Sequence, residues 1–239
     1  MHRGHRVSIV IPAYNEEQTI AAVVGDFGAH PSVDEVLVVD NNCKDRTAAL
    51  AREAGARVVA EAEAGYGKAL CAGMRAAEGD IMVLVEADGS FKAVDLDKFL
   101  AYLPDCGMVV GTRTTRQMVQ QAANMGRLLR FGNLVMAKYL ELLWFFPHEP
   151  RFTDVGCTYR ALWRATFDAI APSLRSSGPA FSPEMMCEAL MKRIRVIEIP
   201  VHYHPRLGGE SKHSASFTKV LKTAWGMFRV INAKRFLGR

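Results

Sequence analysis

The sequence predicts an α/β protein with a doubly wound, mostly parallel sheet and helices on both faces, and three observations carry that expectation. Short apolar runs rich in β-branched residues alternate with helix-length segments through the first ~90 residues, as strands joined by crossover helices do. The run Ile81 to Val85 is apolar without interruption, the mark of a strand buried on both faces. It ends abruptly in Glu86-Ala87-Asp88-Gly89, and an earlier run, Glu35 to Val39, ends in Asp40. Isolated charges are too costly to bury, and open α/β sheets bind ligands outside the carboxyl ends of their strands, so these acids belong to a site. Hard oxygen ligands suit Mg²⁺ or Mn²⁺, held partly by protein and partly by substrate phosphates. An acidic surface turn is the plain alternative, since Asp-Gly is a common turn dipeptide.

In chain order, Val7 to Ile11 reads as a first buried strand halted by Pro12. Asn15 is then placed to cap a helix running through Ile20, Val23 and Val24 to about Phe27, with Glu16 and Glu17 at its positive end. After the second strand, the polar turn from Asn41 to Asp45 leads into a helix from about Thr47 to Ala54, capped by Gly55. Arg57 to Ala60 is a short third strand. The turn EAGYGKA opens the next helix, about Lys68 to Ala77; Gly65 and Gly67 allow close approach to a ligand and Lys68 adds a charge. The spacing is not that of a P-loop, and Pro12-Ala13-Tyr14 stands where a dinucleotide-binding fold carries glycines.

Beyond Phe91, a helix is expected over Leu96 to Leu103 and a short strand over Met108 to Val110, leading to Gly111-Thr112-Arg113. No acid occurs from Arg113 to Lys138, and Arg127 and Arg130 share one face of a helix, either as a solvated surface or as an anion site facing the carboxylates. DVGCTYRAL reads as a loop entering a helix with Asp154 at its head, and Pro183-Glu184 opens another helix ending near Arg193. Val196 to Pro200 is a late strand. His202 and His204 lack a matching ligand set for zinc. Arg206-Leu207-Gly208-Gly209-Glu210-Ser211-Lys212 is a donor-rich loop suited to phosphate oxygens, or a surface turn.

At 239 residues the chain divides into a domain over 1–215 and a basic amphipathic helix over 216–239. The net charge of +5 does not choose among an anionic substrate, a membrane surface and nucleic acid. Five scattered cysteines with no CxxC pair signal neither a disulfide framework nor a zinc site, and a reducing cytosol is the expected location. No signal peptide is expected, nor any run approaching the roughly 20 apolar residues of a membrane span.

VSIVIPAYNEE, Asp40, GYGKA, EADG, GTR, DVGCTYRAL and IPVHYHPRLGGESKH resemble, in that order, the family 2 glycosyltransferases, most nearly the dolichol-phosphate mannosyltransferase-like group. The resemblance implies the GT-A nucleotide-sugar fold, a divalent metal (Mg²⁺ or Mn²⁺), inversion at the anomeric carbon and no nucleic-acid partner. It implies that Pro12, Tyr14 and Glu16 line the nucleoside pocket, that Asp40 binds the base, and that Gly67 and Lys68 lie near the nucleotide. Glu86 and Asp88 match the two-acid metal motif, Asp88 as the direct ligand; Arg113 follows the next strand. Asp154 is implied at the donor sugar, and Arg206, Ser211 and Lys212 at the phosphates. The motif departs from the family in having Glu86 for the usual Asp, Ser90 where a Gln is common, and Asp40-Asn41-Asn42-Cys43 for Asp-Asp-Gly-Ser.

The acceptor is expected to be a polyprenyl phosphate, already an anion and needing no base, met by Arg113, Arg127 and Arg130. The alternatives are a soluble or peptide-borne hydroxyl, with Asp154 or Glu184 as base, and a non-catalytic sugar-nucleotide binder. The acid-free tail from Phe217 to Arg239 is expected either to pack on the domain or to lie in the membrane interface through Trp225 and Phe228, which would make the enzyme peripheral on the cytoplasmic membrane face.

Overall fold

The computed structural model describes residues 1–120, 127–208 and 217–238. Among them, seven strands form one sheet: β1 (Val7–Ala13), β2 (Glu35–Asp40), β3 (Arg57–Ala60), β4 (Ile81–Leu84), β5 (Met108–Thr112), β6 (Arg160–Trp163) and β7 (Val196–Pro200). Their order is β3-β2-β1-β4-β6-β5-β7. All neighbours run parallel except β6, which lies antiparallel between β4 and β5. β6 stands where the sequence predicts a loop entering a helix. Four residues, one of them Arg160, give too short and too polar a run to announce a central strand.

The helices are α1 (Ile20–Gly28), α2 (Thr47–Glu53), α3 (Tyr66–Ala76), α4 (Leu96–Tyr102), α5 (Arg127–Leu143), α6 (Phe145–His148), α7 (Arg164–Ile170), α8 (Phe181–Met191) and α9 (Phe217–Asn232). Strand residues alternate between two cores. Ile9, Ile11, Val38 and Val83 pack under α1, α2 and α4, while Val10, Leu37, Met82 and Leu84 pack under α3, α5, α7, α8 and α9. Both faces of the sheet are therefore covered, as its continuous apolar runs require.

α1 begins at Ile20, not just after Asn15. Asn15 instead adopts a left-handed φ of 55°, and its Oδ1 accepts the Lys44 amide at 2.8 Å, which ties the segment to the β2–α2 turn. The delay leaves an open loop after β1 at the carboxyl edge of the sheet. At the other end of the chain, Met227 and Ile231 of α9 are buried with α8, and Tyr139 Oη donates to Asn232 Oδ1 at 2.7 Å. Leu221 and Trp225, on the outer side of α9, stay exposed. No helix among the described residues is long and apolar enough to cross a membrane.

Candidate active site

Two recesses meet at the carboxyl end of β4. The first is walled by Pro12 of β1, by Tyr14 and Glu16 from the loop after it, by Asn41, and by Gly65 and Tyr66. Asn41 organises its far side: Nδ2 donates to Glu61 O at 2.9 Å and Glu63 O at 2.8 Å, and Oδ1 accepts the Gly65 amide at 2.8 Å. Asp40, expected at the base, instead accepts the Cys43 amide at 2.8 Å and closes a turn. Asn41, one residue on, is the member of this turn that lines the recess.

Gly67 and Lys68, expected near the nucleotide, are each engaged within the protein. The Gly67 amide donates to Ser177 O at 2.8 Å, and a Cβ at Gly67 would stand 2.1 Å from Ser176 O, so this glycine is needed for chain packing. Lys68 Nζ turns outward to Glu63 at 2.6 Å.

Asp88 is buried, and its two oxygens have different fates. Oδ1 accepts from Ser90 N at 2.9 Å and Ser90 Oγ at 2.6 Å, while Oδ2 has no hydrogen-bond donor and faces Arg206 Nη2 at 3.1 Å. Ser90, noted only as a departure from the family pattern, thus orients the carboxylate. Glu86 Oε2 lies 4.0 Å from the same guanidinium and lines both recesses. Burial and the neighbouring Asp88 push its pKa up, and Arg113 and Arg206 only partly oppose them. Gly89 holds the turn with φ 74°, and Leu207 packs where its Cβ would be, bringing the segment after β7 over the acids. The Leu207 amide donates to Asp88 O at 3.0 Å.

These groups fit a divalent cation. One buried carboxylate oxygen is left without a donor, a second carboxylate stands beside it, and a guanidinium holds the balancing charge. Among the described residues no cluster of three His, Cys, Asp or Glu side chains could hold a metal, so substrate phosphates would have to complete the coordination, as Mg²⁺ and Mn²⁺ tolerate.

The second recess lies between Arg113, Asn133 and Met136 on one side and Ser182, Thr223 and Met227 on the other, with Tyr66, Glu86 and Arg206 shared with the first. Arg113 and Asp154 are brought together as a buried bidentate pair, Nε to Oδ2 at 2.8 Å and Nη2 to Oδ1 at 3.0 Å. Burial lowers the Arg113 pKa, but Asp154 outweighs it and the net shift is upward. Asp154 is wholly buried and committed to Arg113 and to the Gly156 amide, so it is not poised at a donor sugar or as a base. Glu184 is likewise committed, to the Arg175 and Ser176 amides and to Lys234.

Arg160, fully buried, underlies the floor by donating to Cys157 O at 2.8 Å, Ser182 O at 2.5 Å and Val155 O at 3.1 Å. Thr158 Oγ1, buried in the wall, has no hydrogen-bond partner. Thr158 and Arg160 both stand in the stretch DVGCTYRAL, but nothing in their local pattern marks either as a wall or floor residue. Arg130 is half-buried on α5 and is not part of the wall; the Arg127 side chain, Ser211 and Lys212 lie outside the described residues.

A model of glycosyl transferase family 2 matches residues 8–163. An uncharacterized glycosyltransferase of Mycobacterium tuberculosis is 34% identical over 229 residues, spanning 96% of this chain and 99% of that protein. A dolichyl-phosphate hexose transferase of Haloferax volcanii is 29% identical over 203 residues, 84% of each chain. Among solved structures, glucosyl-3-phosphoglycerate synthase from Mycobacterium tuberculosis, in complex with Mn²⁺, UDP and phosphoglyceric acid, superposes with a TM-score of 0.75. It covers 98% of this chain and 79% of its own at 19% identity, which establishes the shared GT-A-type fold.

These comparisons correct the expected polyprenyl-phosphate acceptor and the placement in the dolichol-phosphate group. The Haloferax protein shares that acceptor class by name, but the solved complexes reach further along this chain, and they hold soluble phosphorylated acceptors, phosphoglyceric acid or glycerol 3-phosphate. The expected membrane partner is corrected with it. Ile231 and Lys234, which a helix lying in lipid would leave available, are buried in the protein.

Proposed function

The chain belongs to glycosyl transferase family 2, and from that membership we propose that it moves a hexosyl group from a UDP-sugar to the hydroxyl of a soluble phosphorylated acceptor, with Mn²⁺. The observation that carries the reading is the pair of recesses sharing one wall of Tyr66, Glu86 and Arg206. A donor in the first and an acceptor in the second would meet at that wall. The structural neighbour solved with Mn²⁺, UDP-glucose and phosphoglyceric acid supports the same pairing of ligands.

In this reading Pro12, Tyr14, Glu16 and Asn41 hold the nucleoside end of the donor. Asp88, oriented by Ser90, would hold the cation through its donor-free oxygen, with Glu86 beside it. When bound, the cation neutralises the charge that builds on the departing diphosphate. Arg206 contributes a fixed positive charge to the same oxygens, worth most in a site screened from water. The acceptor oxygen bonds to the anomeric carbon as the bond from that carbon to the diphosphate breaks, and UDP leaves with the electron pair. Glu86, the carboxylate facing both recesses, takes the hydroxyl proton. Asp154 and Glu184 are withdrawn from that role by their buried partners.

Mass spectrometry after incubation with Mn²⁺, UDP-glucose and either 3-phosphoglycerate, glycerol 3-phosphate or a polyprenyl phosphate tests the proposal. A hexosylated soluble product is expected. Transfer to the lipid phosphate alone would overturn the reading.

A further inference from the structure

Lys234 lies in the turn Ala233–Leu237 that continues α9, and it is almost wholly buried. Its Nζ is 3.0 Å from Glu184 Oε1 and 2.7 Å from Glu188 Oε1, and it donates to Ser173 O at 2.6 Å. Removing an ammonium and two carboxylates from water is costly, and well-packed apolar side chains would join two helices as well or better. A buried ion cluster can instead serve to fix the register between the elements it joins, as buried polar groups do in some proteins.

The elements joined here form the walls of both recesses. α9 presents Val220, Thr223, Ala224 and Met227 to the second recess, and Pro179 and Ser182 line it from the start of α8. The donor side depends on the same carboxylate through different bonds. Glu184 accepts the Arg175 amide at 3.0 Å and the Ser176 amide at 2.8 Å, and Ser177 O accepts the Gly67 amide beside Gly65 and Tyr66 of the first recess.

We infer that Lys234 is a positioning residue for the acceptor, locking α9 in register over the second recess without touching substrate. The inference rests on reading that recess as the acceptor site. A Gln at 184 keeps an oxygen for the Arg175 and Ser176 amides, so loss of the cluster's charges releases α9 while the donor wall stays held.

The test compares wild type with Lys234→Arg and with the triple variant Lys234→Met, Glu184→Gln, Glu188→Gln, which removes the cluster without leaving a lone buried charge. Two readouts are needed: amide hydrogen exchange over residues 217–232, and steady-state kinetics with a phosphorylated acceptor beside UDP titration. The triple variant is expected to exchange faster in α9 and to raise the acceptor KM about tenfold, with kcat and the UDP Kd within about twofold, since misplaced binding walls act through positioning. Lys234→Arg, which keeps the charge, should restore most of both. Wild-type exchange and KM in the triple variant would overturn the inference. So would an equal loss of UDP affinity, which would mark the cluster as general support. If wild type transfers no sugar to any phosphorylated acceptor, the functional reading has failed and acceptor positioning falls with it; the exchange data then report separately whether Lys234 holds α9.

Discussion

The two recesses that meet at Glu86 are built by different means. The first is made at the carboxyl ends of three adjacent parallel strands, β2, β1 and β4, by short loops whose side chains bond to one another's backbones. The second is made by helices α5, α8 and α9 and by the 153–158 segment, elements far apart in the chain, and is locked by buried ion pairs, Arg113–Asp154 and Lys234–Glu184. The contrast teaches that the donor side depends mainly on loops bonded to backbone, whereas the acceptor side depends on buried charge pairs that a single charge change can undo.

The largest expected effect is at the donor side. Asp88→Asn keeps the shape and the Ser90 contacts yet removes the charge from Oδ2. Transfer should fall by about a thousandfold or more, and Mn²⁺ binding measured with UDP present should be lost while the melting temperature holds. Full Mn²⁺ affinity in this variant would remove Asp88 from the metal site.

Glu86→Gln should separate the two recesses. As the group receiving the hydroxyl proton, its loss should cost roughly a hundredfold in kcat, while Mn²⁺–UDP binding changes only a few-fold. Parallel losses in binding and turnover would assign it to the metal instead.

On the acceptor side, Asp154→Asn leaves Arg113 buried without its counter-charge. Breaking such a pair from one side costs about 3–5 kcal/mol, so the melting temperature should drop sharply, unlike that of Asp88→Asn. Equal stability in the two variants would erase the contrast drawn between the recesses.

A smaller effect is expected from pH. Glu198 on β7 accepts the Thr153 and Asp154 amides, and burial raises its pKa to about 7 against the opposing hydrogen bonds. The folded state then holds a proton that the unfolded state, near the usual carboxylate value of about 4.3, has released. This contribution to stability is full below that value and declines as pH rises toward about 7. Urea melts of Glu198→Gln should show a shallower decline across that window than wild type. The smallest effect is at Lys68→Ala: its partner Glu63 is a surface group, so turnover and melting temperature should not change.

The same contrast explains what the sequence made legible. Strands β1 to β4, α2 and the Glu86–Asp88 motif were readable because apolar runs, turn residues and acids follow one another locally. Pro12, Tyr14 and Glu16, which only the family resemblance singled out for the pocket, line the first recess. Asn41 lines the first recess beside Asp40, and a wall amide next to a turn carboxylate has no distinguishing mark in one dimension. Arg113 and Asp154 were each singled out, but 41 residues separate them and nothing local announces that they neutralise each other. Lys234 was read as part of a basic surround, since its two carboxylate partners lie on α8.

The most direct measurement is a crystal structure with Mn²⁺, UDP and a phosphorylated acceptor bound together. The account predicts the cation on Asp88 Oδ2, the diphosphate beside Arg206, and the acceptor under α9 with its hydroxyl directed at Glu86. An acceptor bound outside the recess between α5, α8 and α9, or a cation away from Asp88, would contradict it.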